Sequence, residues 1–305
     1  MPRVSIGMPV HDAGALLPPA LDSILAQTYR DFELIISDNA SGDDTSAICR
    51  DYARRDPRIR YIRQARNIGP IANFNYVFGA STGEYFKWAA HDDIHAPRFL
   101  EMGVRALDAD ASAILYSPGT TLMNADATPF APGVGEGMLV DARGHAWLWP
   151  AKRDPGLASD DPAERFAAVL LSINLCFEIF GLMRSATLRR TGLMGAFWGS
   201  DKVLLAELSL LGRYSIEETP LFFWRHHPNQ SMSQSYRNKR RWISVGARPA
   251  VLPRCRLLLA YLHVIGGKGL TPRQRARCLA GILRRLAKKG RLGQLADEVL
   301  VRSPA

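Results

Sequence analysis

The strongest constraint on the fold of this chain is an alternation in its first 120 residues. Short apolar runs take turns with helix-length segments. VSIGMPV (4–10) is a β-branched apolar run bounded by Pro9 and the turn-prone HDAG, and it reads as a buried strand. Pro19 sits near a helix start, with Leu21, Ile24, Leu25 and Thr28 at helical spacing. FELIIS (32–37) is a second strand, punctuated by DNASGDDT, where Asp43 or Asp44 can cap a helix carrying Ile48 and Tyr52. IRYIRQ (59–64) is a third strand, followed after RNIGP by a helix over Ile71–Ala80. YFKWAA (85–90) and SAILYS (112–117) are a fourth and a fifth. Strand–helix–strand units at this spacing imply an α/β fold with a mostly parallel sheet flanked by helices. Such sheets bind ligands at the carboxyl ends of their strands. Polar clusters stand at those ends: His11–Asp12, Asp38–Asn39, Asn67 and Asp92–Asp93.

The rest of the chain is less regular. Residues 124–160 are rich in Gly, Pro, Ala and Asp and read as a long irregular connection, which in a compact domain usually has a job. Asp161 as cap, Pro162 and Glu164 announce a helix, and Lys202–Leu211 forms another. LFFWRHHP (221–228) reads as a strand running into a polar turn. No apolar run reaches the roughly 18–20 residues of a membrane span; the best candidate, Phe166–Met183, contains Asn174 and Glu178. MPRVSIGMPV lacks a long apolar stretch, so the expectation is a cytoplasmic protein. Four cysteines (Cys49, Cys176, Cys255, Cys278) without a CxxC pair point away from zinc or a disulfide framework.

Six polar residues carry most of the chemistry. Asp92 and Asp93 are adjacent carboxylates that repel unless a cation accompanies them, and a hard divalent metal bridging to diphosphate oxygens meets that need. The plainer reading is that Asp93 caps a helix. Asp38 can accept hydrogen bonds from a base or a ribose, or can close an Asx turn with Ala40 or Ser41. Asp201, in FWGSDKVLL, is either a helix cap or a general base at the rim of a site. His226 and His227 precede a Pro turn and are candidates for a metal or phosphate contact. Neither GxxxxGK[ST] nor GxGxxG follows the first strand, which argues against P-loop and dinucleotide-binding chemistry.

PVHD (9–12), SDNASGDDT (37–45), RNIGPIANFN (66–75) and WAAHDD (88–93) occur in order, and together they resemble the inverting GT-A glycosyltransferases of family 2. GSDKVLLAELSLLGRYSIEETPLFFWRHHP (199–228) is similar to the second half of that catalytic domain. The resemblance implies a GT-A, Rossmann-like catalytic domain over 1–230, with a nucleotide-binding half (1–120) and an acceptor half (121–230), and leaves a basic helical C-terminal extension (231–305). It implies roles by position. Pro9, Val10 and Asp12 line the nucleotide, Asp38 and Asn39 contact the base, and Asn67 and Gly69 belong to the loop near base and ribose. Asp92 reaches ribose or sugar, while Asp93 and His227 hold Mn²⁺ or Mg²⁺. Asp201 matches the catalytic base, with Glu178 as the alternative. The sequence departs from the family in having His91 where an acid often stands and GSD where a Glu-Asp pair is common. The processive QxxRW signature is absent: SYRNKRRW (235–242) has the Arg-Trp without the Gln, which implies one sugar per encounter.

The implied reaction is a single displacement in which a nucleotide-diphosphate sugar meets the hydroxyl of a glycan or lipid-linked acceptor, with the 124–160 segment closing over the donor. A rival reading is a non-catalytic nucleotide-sugar-binding protein tethered by its tail. A nucleotidyltransferase is weaker, because HDAGALLPP after the first strand carries no Lys or Arg. From Arg237 onward there are 17 basic residues and 2 acidic ones, net +15, whereas the first 236 residues are net −5. In PRQRARCLAGILRRLAKKGRLGQLADEVLVR the residues Leu279, Ile282, Leu283, Leu286 and Ala287 share a helical face flanked by Arg and Lys. Residues 272–302 therefore either pack on the catalytic domain or meet an anionic membrane surface, at the inner face of the cell membrane. Nucleic acid is not expected as a partner, since no nucleic-acid fold or aromatic stacking pattern accompanies the basic residues.

Overall fold

The computed structural model describes residues 1–135, 137–149, 153–228, 230, 242–243 and 252–287. The rest of the expected extension (231–241, 244–251 and 288–305) lies outside the described residues, and with it most of SYRNKRRW. The strands are β1 (Val4–Val10), β2 (Phe32–Asp38), β3 (Ile59–Arg63), β4 (Tyr85–Trp88), β5 (Ile94–His95), β6 (Ala113–Met123), β7 (Ala131–Pro132), β8 (Met138–Val140), β9 (Ala146–Leu148), β10 (Leu182–Arg184) and β11 (Arg213–Arg225). The helices are α1 (Leu17–Leu25), α2 (Thr45–Arg55), α3 (Pro70–Gly79), α4 (Phe99–Ala109), α5 (Pro162–Ser172), α6 (Ser185–Leu188), α7 (Ser200–Leu211), α8 (Pro253–Gly266) and α9 (Pro272–Ala287).

Eight strands form one sheet in the order β3-β2-β1-β4-β10-β6-β11-β5. The pairs β3/β2, β2/β1, β1/β4 and β6/β11 are parallel; β4/β10, β10/β6 and β11/β5 are antiparallel. The two-residue period of a strand sends alternate side chains to two cores. Val4, Ile6 and Met8 of β1 pack with α1, α2 and α4 on one face. Ile35, Phe86 and Trp88 pack with α3, α5 and α7 on the other. The second core also takes Tyr261, Val264 and Ile265 of α8 and Cys278 and Ile282 of α9. The described part of the extension is thus welded to the α/β body, and Arg277 ties α9 to Asp161 and Glu164. Among the described residues no helix is long and apolar enough to cross a membrane.

Local chemistry explains the helix starts. Asp161 Oδ1 accepts the Ala163 N–H at 2.8 Å ahead of Pro162. At α2 it is Asp43, not the N-cap Asp44, whose carboxylate takes the Thr45 N–H. The structure corrects one expectation. The 124–160 segment contains a small antiparallel sheet, β7-β8-β9, where an irregular connection is expected. Asp141 pins its turn, accepting from the N–H groups of Arg143 and His145 and from Trp147 Nε1.

Candidate active site

One cleft of about 1320 Å³ opens where the carboxyl ends of β1, β2 and β4 meet α7, β11 and α8. Pro9, Val10, Asp12, Asn39, Asn67, Asp92, Asp93, Asp201 and His227 all line it. Asp38, Gly69 and Glu178 do not. The strand ends are joined side chain to side chain. Asn39 Nδ2 donates to Asn67 Oδ1 at 2.9 Å, and Asn39 Oδ1 accepts the Ile68 N–H at 2.8 Å. Asn67 Nδ2 lies 3.1 Å from His11 Nε2. Gly69 donates its N–H to Asn67 Oδ1 and turns the chain into α3 at φ +88°, a conformation that favours glycine.

Asp38 is wholly buried. Its carboxylate accepts from the Ser41 N–H at 2.9 Å, from the Tyr61 hydroxyl at 2.8 Å and from Arg63 Nη1 at 3.0 Å. Ser41 Oγ in turn accepts the Asp12 N–H, and Asp12 Oδ1 accepts the Gly42 N–H. Asp12 holds a left-handed φ of +47° in this arrangement, with its side chain 53% exposed at the mouth of the cleft. Asp38 therefore supports the turn that presents Asp12.

Asp92 and Asp93 face different partners. Asp92 Oδ2 is 2.9 Å from His227 Nε2, across 135 positions of sequence. Asp93 Oδ1 accepts the Arg225 N–H, and Arg225 Nε donates to the Asp92 carbonyl at 2.7 Å. Burial works against the Asp92 carboxylate, but His91 and the bond from His227 hold it below its ordinary value. Burial and the neighbouring Asp92 charge push Asp93 well above. Behind the pair, Lys87 is buried against His95 Nε2 and the Trp88 carbonyl, and burial brings its ammonium down to about 7, opposed by Asp93.

Asp201 stands in the first turn of α7, which starts after Gly199 at φ +88°. Burial raises its carboxyl, against bonds from the Lys202 N–H and the Cys176 thiol. Cys176 itself has a left-handed φ of +54°, an uncommon state for a residue with a side chain. Glu178 is buried nearby, its carboxyl raised by burial, outside the lining of the cleft. The far wall is aromatic: Trp224 of β11 lies 5.4 Å from Phe177 and 5.9 Å from Trp147 on β9. The β8–β9 hairpin thus packs beside the cleft.

Sequence reasoning missed several contributors. Cys176, Arg225, Tyr61, Arg63 and Lys87 gave no local signal except the placement of Arg225 directly before His226 and His227. Among the described residues there is no group of three or more His, Cys, Asp or Glu side chains placed to hold a metal on their own. The pair Asp92 and His227 does fit a divalent ion that takes its remaining ligands from substrate oxygens and water, the usual habit of Mg²⁺.

The sequence model described as Glycosyl transferase family 2 matches residues 5–133. A putative glycosyltransferase EpsE of Bacillus subtilis is 35% identical over 108 residues, 35% of this chain and 39% of that protein. The GalNAc(5)-diNAcBac-PP-undecaprenol beta-1,3-glucosyltransferase of Campylobacter jejuni is 34% identical over 94 residues, 30% of each. The chain thus matches well under half the length of these relatives. The crystal structure of S. aureus TarS 1-349 in complex with UDP-GlcNAc has a TM-score of 0.65 at 13% identity, over 97% of this chain and 79% of that one. That likeness is one of fold, and it extends past the matched segment through the second half of the sheet and the C-terminal helices. The fold is GT-A, and residues 5–133 match the Glycosyl transferase family 2 model.

Proposed function

We propose that this chain transfers one sugar from a nucleoside-diphosphate sugar to a hydroxyl of a glycan or lipid-linked acceptor, by single displacement with inversion. The observation that carries this reading is that Asp201 and the Asp92–His227 pair line the same cleft. A base and a diphosphate-binding pair sharing one cavity are what an in-line displacement at an anomeric carbon requires.

The roles follow from the contacts. Pro9, Val10 and Asp12 edge the nucleotide, and the Asn39–Asn67–His11 chain frames its base and ribose. Asp38 and Gly69 act one step back, by fixing the turns that carry Asp12 and Asn67. In place of the expected Asp93 with His227, Asp92 and His227 would hold Mn²⁺ or Mg²⁺, because Asp92 Oδ2 faces the imidazole while Asp93 Oδ1 accepts the Arg225 N–H; such an ion, when bound, would offset the charge that grows on the departing diphosphate. Asp93 keeps Arg225 and the end of β11 registered against the Asp92 backbone. Asp201 takes the proton from the attacking acceptor hydroxyl. Its raised carboxyl makes it a stronger base than an exposed aspartate, and its bonds to the Lys202 N–H and the Cys176 thiol fix its direction. Trp224, Phe177 and the β8–β9 hairpin exclude water on the acceptor side. The domain plan of this reading is a catalytic body over 1–230, nucleotide in 1–120 and acceptor in 121–230, with an extension over 231–305 that works beside an anionic membrane surface at the cytoplasmic face.

The test is release of nucleoside diphosphate from UDP-, GDP- and dTDP-sugars in the presence of Mn²⁺. Turnover of one donor class, reduced about 10²- to 10⁴-fold in Asp201→Asn, is expected. No release from any donor, or an Asp201→Asn variant as fast as the parent, overturns the reading.

A further inference from the structure

Eight large hydrophobic side chains are exposed among the described residues, and five of them lie on or at the start of the two C-terminal helices: Leu252, Leu259, Leu262, Leu279 and Leu283. This clustering is not a by-product of loose packing, because each helix also has a well-buried face. In α8, Tyr261, Val264 and Ile265 are at most 4% exposed. In α9, Cys278 and Ile282 are at most 3% exposed, while Leu283 is 63% exposed. Burial divides the helical face shared by Leu279, Ile282, Leu283, Leu286 and Ala287. Ile282 and Leu286 turn to the core; Leu279 and Leu283 turn out, in a stripe with Ala276 and Ala287. Arg273, Arg275 and Arg284 are exposed beside that stripe. The sequence from Thr219 to Ala296 has no Asp or Glu.

We infer that the outward faces of α8 and α9 form one docking surface for an anionic lipid bilayer, a proposal that deepens the reading of the extension given above. The leucines enter the headgroup boundary and the arginines pair with lipid phosphates, the arrangement of an interfacial helix. Charge selects this occupant: a surface with exposed arginines, in a stretch without acids, is complementary to an anionic sheet. The same two helices wall the cleft, α8 through Leu257 and Tyr261 and α9 through Arg285. A membrane-borne acceptor would therefore meet the end of the cleft nearest the bilayer.

The experiment is co-sedimentation of the full chain with vesicles of phosphatidylcholine, alone or with a quarter phosphatidylglycerol, at low and high salt. Two double variants are compared, Leu259→Ser/Leu283→Ser and Arg273→Gln/Arg284→Gln, with nucleotide-induced thermal stabilisation as the control for an intact body. The parent is expected to partition at least about tenfold more onto anionic vesicles, with salt reversing the gain. The leucine variant should lose about tenfold or more and the arginine variant about thirtyfold, with stabilisation by nucleotide unchanged in both. Equal partition onto both vesicles, no partition, or a leucine variant that sediments like the parent overturns the proposal. So does sedimentation velocity showing a dimer that the leucine variant abolishes, since the face then joins two copies. Vesicle binding without any nucleotide response leaves docking standing and removes the transfer reading instead.

Discussion

Asp38→Asn separates a ligand-binding carboxylate from a structural one. The asparagine of this variant can still accept the Ser41 N–H through its remaining oxygen, and its amide can donate to the Tyr61 hydroxyl, which keeps Ser46 Oγ at 3.0 Å as a second partner. What is lost is the charge-assisted bond from Arg63 Nη1, which would then face an NH₂ group. A bond to a charged group contributes about 1.5–3 kcal/mol, discounted here because the Arg63 side chain is 42% exposed. The expected loss is about 1–2 kcal/mol. Asp38→Ala removes all three bonds and leaves the buried Ser41 N–H without its acceptor, so about 3–4 kcal/mol is expected. Urea unfolding measures both, with the slope unchanged and the midpoint lowered. Nucleotide affinity should weaken only several-fold in Asp38→Asn, through the Ser41–Asp12 contact. An Asp38→Asn protein as stable as the parent but about a hundredfold weaker for nucleotide would refute the reasoning and make the carboxylate a direct ligand of the base.

Three further outcomes follow from the same structure. The Asp201 carboxyl is raised by burial, so its basic form is lost as pH falls through a value above the usual aspartate range; kcat/KM should show an acidic limb there, absent from the residual rate of Asp201→Asn. At Gly181 an added Cβ would sit 2.3 Å from the Tyr116 carbonyl oxygen and 3.0 Å from that of Glu178, so Gly181→Ala should cost about 2 kcal/mol or more in urea unfolding; a neutral effect would mean that β10 does not pack against β6 in this register. Burial works against the Asp141 carboxylate, but the His145 N–H, Trp147 Nε1 and the Arg143 N–H bring it down to about 2. Its stabilisation of the β8–β9 hairpin, about 1–2 kcal/mol after allowance for nearby solvent, should be present above pH ~4 and lost as pH falls towards ~2, visible as a stability gap between the parent and Asp141→Asn in urea unfolding that is open at neutral pH and closes over that range.

The parallel half of the fold was legible because its signals are local. An apolar run such as FELIIS and the turn cluster after it lie within one short window, and the polar strand ends fall out of the same reading. What could not be read depends on partners distant in sequence. Strand β10 enters between β4 and β6 as three residues, too short to leave a periodic pattern. The β7-β8-β9 sheet is built from strands of two or three residues held by Asp141, in a stretch whose Gly and Pro content resembles loop. The same limit governs the site. Nine of the residues named from motifs converge on one cleft, because motifs mark positions at strand ends. Which oxygen faces which partner was not in the motifs. The second oxygen of Asp38 faces Tyr61 and Arg63, more than twenty positions away, and His227 faces Asp92 across 135 positions.

The central claim is that the cleft holds a nucleoside diphosphate at the Asp92–His227 pair. The most direct measurement is thermal unfolding with UDP, GDP or dTDP, each with and without Mn²⁺, on the parent chain and on Asp92→Asn. The account predicts that one nucleotide stabilises the parent by about 2.7 kcal/mol at a hundred times its Kd, that the effect needs Mn²⁺, and that Asp92→Asn loses most of it. Stabilisation by no nucleotide, or an Asp92→Asn protein that responds to nucleotide and Mn²⁺ as the parent does, would contradict it.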